Sequence, residues 1–134
     1  MYEAFEYIPL KIQIVRGPNP HSNGYYDKSA NYIFISDHVS EAHYPTVLFH
    51  EYMHATGHCR VLNRFTSGLG YDEEEYVAVL GEKMFADKYS LPMCYDFSYW
   101  DKKYKESLTD AQIVWCQDRA KEAFEYLTRG KHNV

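Results

Sequence analysis

The first third of the chain carries the alternation of apolar and polar residues that is typical of β-strands. Residues 10–15 alternate in this way and predict a half-buried strand, which the Gly-Pro-Asn-Pro sequence at 17–20 ends. Apolar segments at 24–26 and 32–35 flank a turn-rich segment at 27–31 and predict a hairpin. The second arm of the hairpin is apolar on both faces, so we expect it to be covered on both sides.

Helical patterns follow the strands. An apolar segment that starts at Pro45 predicts a helix from about residue 45, with Gly57 as its C-terminal stop. A second helix is predicted over 72–89, because acidic residues crowd its first turn and interact favourably with the helix dipole. A shorter helix is predicted over 97–104.

The last helix has a clear beginning and end. Thr109 with Gln112 forms a capping box, and Gly130 is a natural stop. The buried stripe of this helix is predicted to be Ile113, Cys116, Ala120, Phe124 and Leu127. Strands grouped before helices predict an α+β fold. We expect one domain over residues 1–134, with a small antiparallel or mixed N-terminal sheet, the helix at residue 45, and two or three further helices.

Composition narrows the classes of function. The 134 residues carry a net charge of −5, which argues against binding nucleic acid through bulk electrostatics. Three scattered cysteines argue against a disulfide framework and for a reducing compartment. The acidic N-terminus does not resemble a signal peptide, and no apolar stretch is long enough to span a membrane. We therefore expect a cytoplasmic protein without a membrane partner.

The helix at residue 45 contains the motif H-E-x-x-H, at His50, Glu51 and His54. Positions i and i+4 share one helix face, so both imidazoles can bind a single Zn²⁺ at about 2.0–2.1 Å. Glu51 would then lie beside the metal and could take a proton from water that the metal activates. The competing explanation is that the two histidines bind no metal and are either solvated or hydrogen-bonded in the core. The apolar helical context favours the metal.

A catalytic zinc site needs a third protein ligand. The pattern H-E-x-x-H-x-x-G-x-x-H fails here, because Arg60 stands where its third histidine would be. His58 follows the helix-ending Gly57. We expect a structural, hydrogen-bonding role for His58 as much as a direct role at the metal. The remaining option is a carboxylate from the second helix, where three acids are consecutive: Glu73, Glu74 and Glu75.

Helical geometry distinguishes these three acids. Glu74 shares a face with the small residues Ala78 and Gly81, which a tightly packed helix would turn toward the H-E-x-x-H helix. We therefore predict Glu74 as the third ligand, with Glu75 as the alternative. Glu73 is expected to be solvated. Glu75 shares its helix face with Val79 and Glu82, so that face mixes apolar and acidic residues.

The motif lies in a longer pattern. Residues 48–58 are L-F-H-E-Y-M-H-A-T-G-H, residues 60–64 are R-V-L-N-R, and residues 71–81 are Y-D-E-E-E-Y-V-A-V-L-G. Together with Tyr25–Tyr26 and Tyr99–Trp100, these segments resemble the metallopeptidase domain of ArdC-type antirestriction proteins. That family shows L-L-H-E-x-x-H-x-T-G-H, R-L-x-R and Y-x-x-E-E-L-x-A-E-L-G. The resemblance implies a zincin-like fold, a bound zinc ion and an origin in a phage or mobile element.

Two departures from the family pattern limit what the resemblance implies. Val79 stands where the family has its later acid. Longer family members carry an N-terminal domain implicated in binding single-stranded DNA, which this chain is too short to contain, so DNA binding and antirestriction are not expected to transfer.

We therefore expect a zinc-dependent peptidase that acts on a peptide or protein, with Glu51 as general base. His58, Arg64 and Tyr71 are candidate donors to the oxyanion, although each is favoured as a structural residue. The loop 66–70 is a candidate gate. The alternatives are a zinc-binding antirestriction or anti-defence protein that captures a host partner without useful proteolysis, and a purely structural zinc.

Overall fold

The structure is a computed structural model that describes residues 3–66 and 70–129. It has the predicted α+β architecture. Its strands are β1 (Gln13–Gly17), β2 (Gly24–Asp27) and β3 (Tyr32–Ser36). Its helices are α1 (Glu3–Glu6), α2 (Tyr44–Ala55), α3 (Tyr71–Tyr89), α4 (Phe97–Ser107) and α5 (Asp110–Thr128).

The sheet is small and mixed. Its strand order is β1-β3-β2, with β1 parallel and β2 antiparallel to the central strand β3. The predicted hairpin is therefore confirmed. The first strand begins at Gln13 rather than at Leu10, because pairing with β3 starts where Gln13 lies opposite Tyr32.

The two faces of β3 have different surroundings. Ile33 and Ile35 are fully buried in the core on the face that meets α2. On the other face Phe34 is only half-buried and stacks on Tyr25 of the edge strand, with ring centroids 5.1 Å apart. The expected cover is therefore complete on the face of Ile33 and Ile35 and only partial on the face of Phe34, where neighbouring aromatic rings shield one another.

The helices form the rest of the core, and α3 packs against both α2 and α5. Phe49 of α2 stacks on Phe85 of α3 with ring centroids 4.2 Å apart.

The capping box of α5 is present, since the Gln112 N–H donates to Thr109 Oγ1 at 3.2 Å. The predicted stop at Gly130 lies outside the described residues. Within the described ranges, no helix is long and apolar enough to cross a bilayer.

The contact between α2 and α3 depends on a glycine. Gly81 is buried in the middle of α3, directly against the side chain of Met53. A Cβ atom built at Gly81 would overlap the sulfur and terminal methyl of Met53, which is itself fully buried. The two helices can therefore lie this close only because position 81 has no side chain.

We predict that Gly81→Ala destabilises the protein by about 1–3 kcal/mol, the usual cost of overpacking. In an unobstructed helix the same change would stabilise by up to about 1 kcal/mol. The matched control is Gly81→Ala in a Met53→Ala background, where the overlapping atoms are gone and the penalty should vanish. Urea unfolding of the four proteins measures both effects. An equal cost in both backgrounds would show that Met53 does not set the helix spacing.

Candidate metal centre

Helix α2 presents the H-E-x-x-H side chains as the sequence predicts. Its first turn contains Pro45, and residues 45–49 are all buried, so the N-terminal half of the helix is enclosed in the core on every side. His50 and His54 lie one turn apart, with ring centroids 5.0 Å apart and side chains 13% and 16% exposed. Both imidazoles therefore occupy one partly covered face of the helix.

The third group at this face comes from α3. One oxygen of Glu75, Oε1, lies 2.9 Å from His50 Nε2, and the other, Oε2, lies 3.1 Å from His54 Nε2. One donor atom from each of His50, His54 and Glu75 can be chosen so that all three lie within 4.8 Å of one another. The two imidazoles and this carboxylate therefore converge on one point.

The other nitrogen of each imidazole is also held by a carboxylate. His50 Nδ1 lies 2.8 Å from Glu82 Oε1, and His54 Nδ1 lies 2.9 Å from Glu74 Oε2. A neutral imidazole that donates from Nδ1 keeps its Nε2 lone pair free for a metal, and such outer carboxylates fix the ring orientation and raise its basicity. The arrangement therefore directs both Nε2 atoms to the side where Glu75 lies.

The paired charges shift the pKa values of this cluster. Burial lowers the pKa of His54, but its hydrogen bonds to Glu74 and Glu75 outweigh this and raise it to about 9. Burial raises the pKa of Glu75, and the two imidazoles reverse this and hold it well below its usual range. The charged forms of these groups therefore stabilise one another.

Glu51 occupies a different environment. Its side chain lines the cleft beside the two histidines but is only 5% exposed, and burial raises its pKa. Its Oε1 has no hydrogen-bond partner among the described residues. A buried polar atom without a partner is uncommon and requires an explanation, such as a catalytic role or a bound ion or water.

Arg64 connects the two helices beneath the site. Its guanidinium is 2% exposed and forms a bidentate pair with Glu74, with Nε 2.8 Å from Oε1 and Nη2 2.9 Å from Oε2. It also donates to Thr56 Oγ1 and to the Met53 carbonyl at the C-terminal end of α2. Arg64 therefore fixes Glu74, and through Glu74 it fixes His54.

Tyr95 completes the surroundings of His50. Its hydroxyl donates to Glu82 Oε1 at 2.7 Å, the same oxygen that lies on His50 Nδ1. Glu82 is 1% exposed, and its second oxygen has no hydrogen-bond partner among the described residues. Sequence reasoning did not assign Glu82 or Tyr95 to the site. Glu82 could have been found, because it lies seven positions after Glu75 on the same helix face.

An open cleft of about 460 Å³ gives access to the centre. The edge strand β2 and Asn23 form one side of the cleft, and α2 and α3 form the other. Tyr71 lines it and is 80% exposed, so it remains a candidate donor. His58 does not line it; its Nδ1 accepts from the Arg60 N–H in the loop after α2, which is a structural contact. Residues 67–69 of the predicted gate lie outside the described ranges.

The structure differs from the sequence analysis in its choice of carboxylate. The small residue Gly81 does face α2, as the argument for Glu74 required. However, the Glu74 carboxylate contacts His54 at Nδ1 and is paired with the Arg64 guanidinium. The Glu75 carboxylate instead contacts the Nε2 atoms of both histidines. The row of Glu75, Val79 and Glu82 therefore borders the centre, and Glu75 replaces Glu74 as the candidate ligand.

The residues present fit a divalent cation. Two imidazole nitrogens and one carboxylate are the donor set of one class of catalytic zinc sites, with a fourth position for water or substrate. Four carboxylates meet here, and their charge is balanced by Arg64 and, while they are protonated, by the two imidazoles, so a bound cation would take the place of the imidazole protons. These carboxylates belong to Glu51, Glu74, Glu75 and Glu82.

Fold and donor set together define an α+β protein with a candidate two-histidine, one-carboxylate metal centre. The same fold occurs in the antirestriction ArdC protein of the R388 plasmid. Its metal-free structure matches with a TM-score of 0.72 and 26% identity over 91% of this chain and 47% of that chain. Its Mn(II)-bound structure matches with a TM-score of 0.70 and 25% identity over 89% of this chain and 48% of that chain.

The chain thus spans about half the length of the ArdC chain. No protein-family model matches the sequence, and no curated protein matches it. The ArdC-like fold is shown by the comparison, and one ArdC structure holds Mn(II).

The three consecutive glutamates provide a matched set of variants. We predict that Glu75→Gln lowers the affinity for Zn²⁺ and Mn²⁺ most, because a ligand is lost. Glu74→Gln should lower it about 10–100-fold, the usual effect of losing an outer-shell partner. Glu73→Gln should leave the affinity unchanged, since among the described residues Glu73 Oε1 accepts from the Gly70 N–H and from Gln112 and does not contact either histidine. Calorimetric titration at fixed pH measures all three. A larger loss in Glu74→Gln than in Glu75→Gln would restore Glu74 as the ligand.

Proposed function

We propose that this chain is a metal-dependent peptidase that uses zinc and has Glu51 as its general base. The observation that carries the proposal is the convergence of His50 Nε2, His54 Nε2 and Glu75 beside the buried, partly unpaired carboxylate of Glu51. Zinc is proposed rather than manganese because imidazole nitrogens favour zinc and because divalent zinc binds more tightly than manganese to a given site.

A zinc ion held by these three residues would polarise a carbonyl group and lower the pKa of a water molecule toward about 7. Glu51 accepts the proton of the attacking water and later delivers it to the departing amine. Burial raises the pKa of Glu51 toward the working range of a general base. Tyr71 is the exposed candidate donor to the oxyanion in the cleft.

The shape of the cleft supports an extended peptide as substrate. Gly24, Tyr25 and Tyr26 of β2 line it, and β2 is an edge strand that pairs with β3 on one side. An edge strand offers unpaired backbone groups to which an extended peptide can add by main-chain hydrogen bonds. A peptide bound in this way would lie along the cleft that contains Glu51.

The comparison with ArdC favours a second candidate function. ArdC is described as an antirestriction protein, so this chain could act on host defence by binding a protein partner while its metal centre has little hydrolytic activity. An origin in a phage or mobile element and a location in the cytoplasm fit both candidates. The two functions differ in whether activity needs Glu51.

We predict that Glu51→Gln retains zinc and loses peptide hydrolysis, because the metal ligands remain and the proton acceptor is removed. The decrease in kcat should be at least about 100-fold, the lower end of general-base contributions. The assay is a peptide-library digest with wild type and variant, and metal content is measured on the same samples. Addition of a chelator should abolish wild-type hydrolysis.

Unchanged turnover in Glu51→Gln would remove the proposed base. Tight binding of a host protein that is equal in wild type and Glu51→Gln, without chelator-sensitive hydrolysis, would favour the second candidate.

A further inference from the structure

A second cleft opens from the metal centre on the side away from the edge strand. It has a volume of about 620 Å³ and shares four residues with the first cleft: His50, Tyr71, Glu75 and Tyr95. We call it the aromatic cleft. Its further lining residues are Asp72, Val79, Trp100, Lys103, Tyr104 and Ser107. A group that occupies the aromatic cleft therefore reaches the candidate ligands directly.

Apolar surface lies next to the candidate ligand. Val79 is one helical turn after Glu75 on the same face of α3 and is 4% exposed. Trp100 and Tyr104 of α4 line the cleft one helical turn apart, with ring centroids 6.3 Å apart. Trp100 remains 44% exposed, so a bound apolar group would remove aromatic surface from water.

Tyr76 of α3 anchors the wall that α4 forms. Tyr76 is fully buried, its ring stacks on Tyr104 at 5.1 Å, and its hydroxyl donates to Asp101 Oδ1 at 2.6 Å. No residue of α4 itself is buried. The aromatic side chains of this helix are therefore positioned by Tyr76 while Trp100 stays available to a ligand.

Away from the metal centre, the aromatic cleft is lined by two charged residues of opposite sign. Asp72 and Lys103 are both exposed and carry opposite signs, and the Lys103 ammonium lies 5.5 Å from the centroid of the Tyr99 ring. This pair gives no preference for a substrate residue of either charge. The buried apolar surface of Val79 and the aromatic rings instead favour an uncharged, large side chain.

We propose that the aromatic cleft binds a large apolar side chain, aromatic or branched aliphatic, of a peptide whose susceptible bond lies at the metal centre. This inference rests on the proposed peptidase function and deepens it by naming the class of substrate. Trp100 is then the residue that determines specificity, and Val79 contributes apolar surface one helical turn from Glu75.

The test uses zinc-loaded Glu51→Gln protein, so that binding is measured without turnover. The probes are variants of one peptide in which each position is replaced in turn by Phe, Leu, Ala or Lys. At one position we expect Phe and Leu to bind at least about 10-fold more tightly than Ala and Lys, as apolar pockets discriminate. Adding Trp100→Ala should remove this preference.

The matched control is Tyr7→Ala, which truncates an aromatic residue that is 40% exposed and lines neither cleft. It should leave the preference intact. Equal binding of Phe and Ala at every position, or a preference that survives Trp100→Ala, would overturn the subsite. Chelator-sensitive hydrolysis by wild type alongside that result would leave the peptidase proposal standing. A Trp100-dependent preference without hydrolysis would support the cleft and contradict the peptidase proposal.

Discussion

The interaction on which this structure depends is the pairing of each H-E-x-x-H imidazole, through Nδ1, with a carboxylate of α3. Glu82 holds His50 and Glu74 holds His54, so both Nε2 atoms are directed to the side where Glu75 lies. The pairing requires α3 to lie very close to α2. This spacing is possible because Gly81 has no side chain. Arg64, which is bonded to both helices, sets the ends of α2 and α3 relative to each other.

The same spacing concentrates negative charge. Four carboxylates, of Glu51, Glu74, Glu75 and Glu82, surround the centre, and two of their oxygens have no hydrogen-bond partner among the described residues. Burying charge is costly unless it is paired. A core designed only for stability would place apolar residues here, so the cluster is best explained by function. A divalent cation at the centre would compensate this charge, and Glu51 lies beside the candidate ligands.

Sequence periodicity is sufficient to predict the elements of the fold and the shared helix face of the two histidines, because both depend on local geometry. The capping box at Thr109 and the i, i+4 spacing of His50 and His54 are set within one turn of helix. The sequence predicts Glu74 with Glu75 as the alternative, and the geometry favours Glu75, since the choice depends on the rotation of α3 about its axis. Arg64 fixes that rotation through its bidentate hydrogen bonds to the Glu74 carboxylate. Arg64 lies in the loop between α2 and α3, so this contact depends on the packing of a loop and two helices. The aromatic cleft likewise arises from packing of α4 on α3, which the sequence pattern does not specify.

The most direct test of this account is a crystal structure of the zinc-loaded protein with anomalous scattering recorded at the zinc edge. The account predicts one peak, coordinated by His50 Nε2, His54 Nε2 and Glu75, with Glu82 and Glu74 still on the two Nδ1 atoms. A peak bound through Nδ1 or by Glu74, or the absence of a peak at these histidines in zinc-saturated crystals, would contradict it.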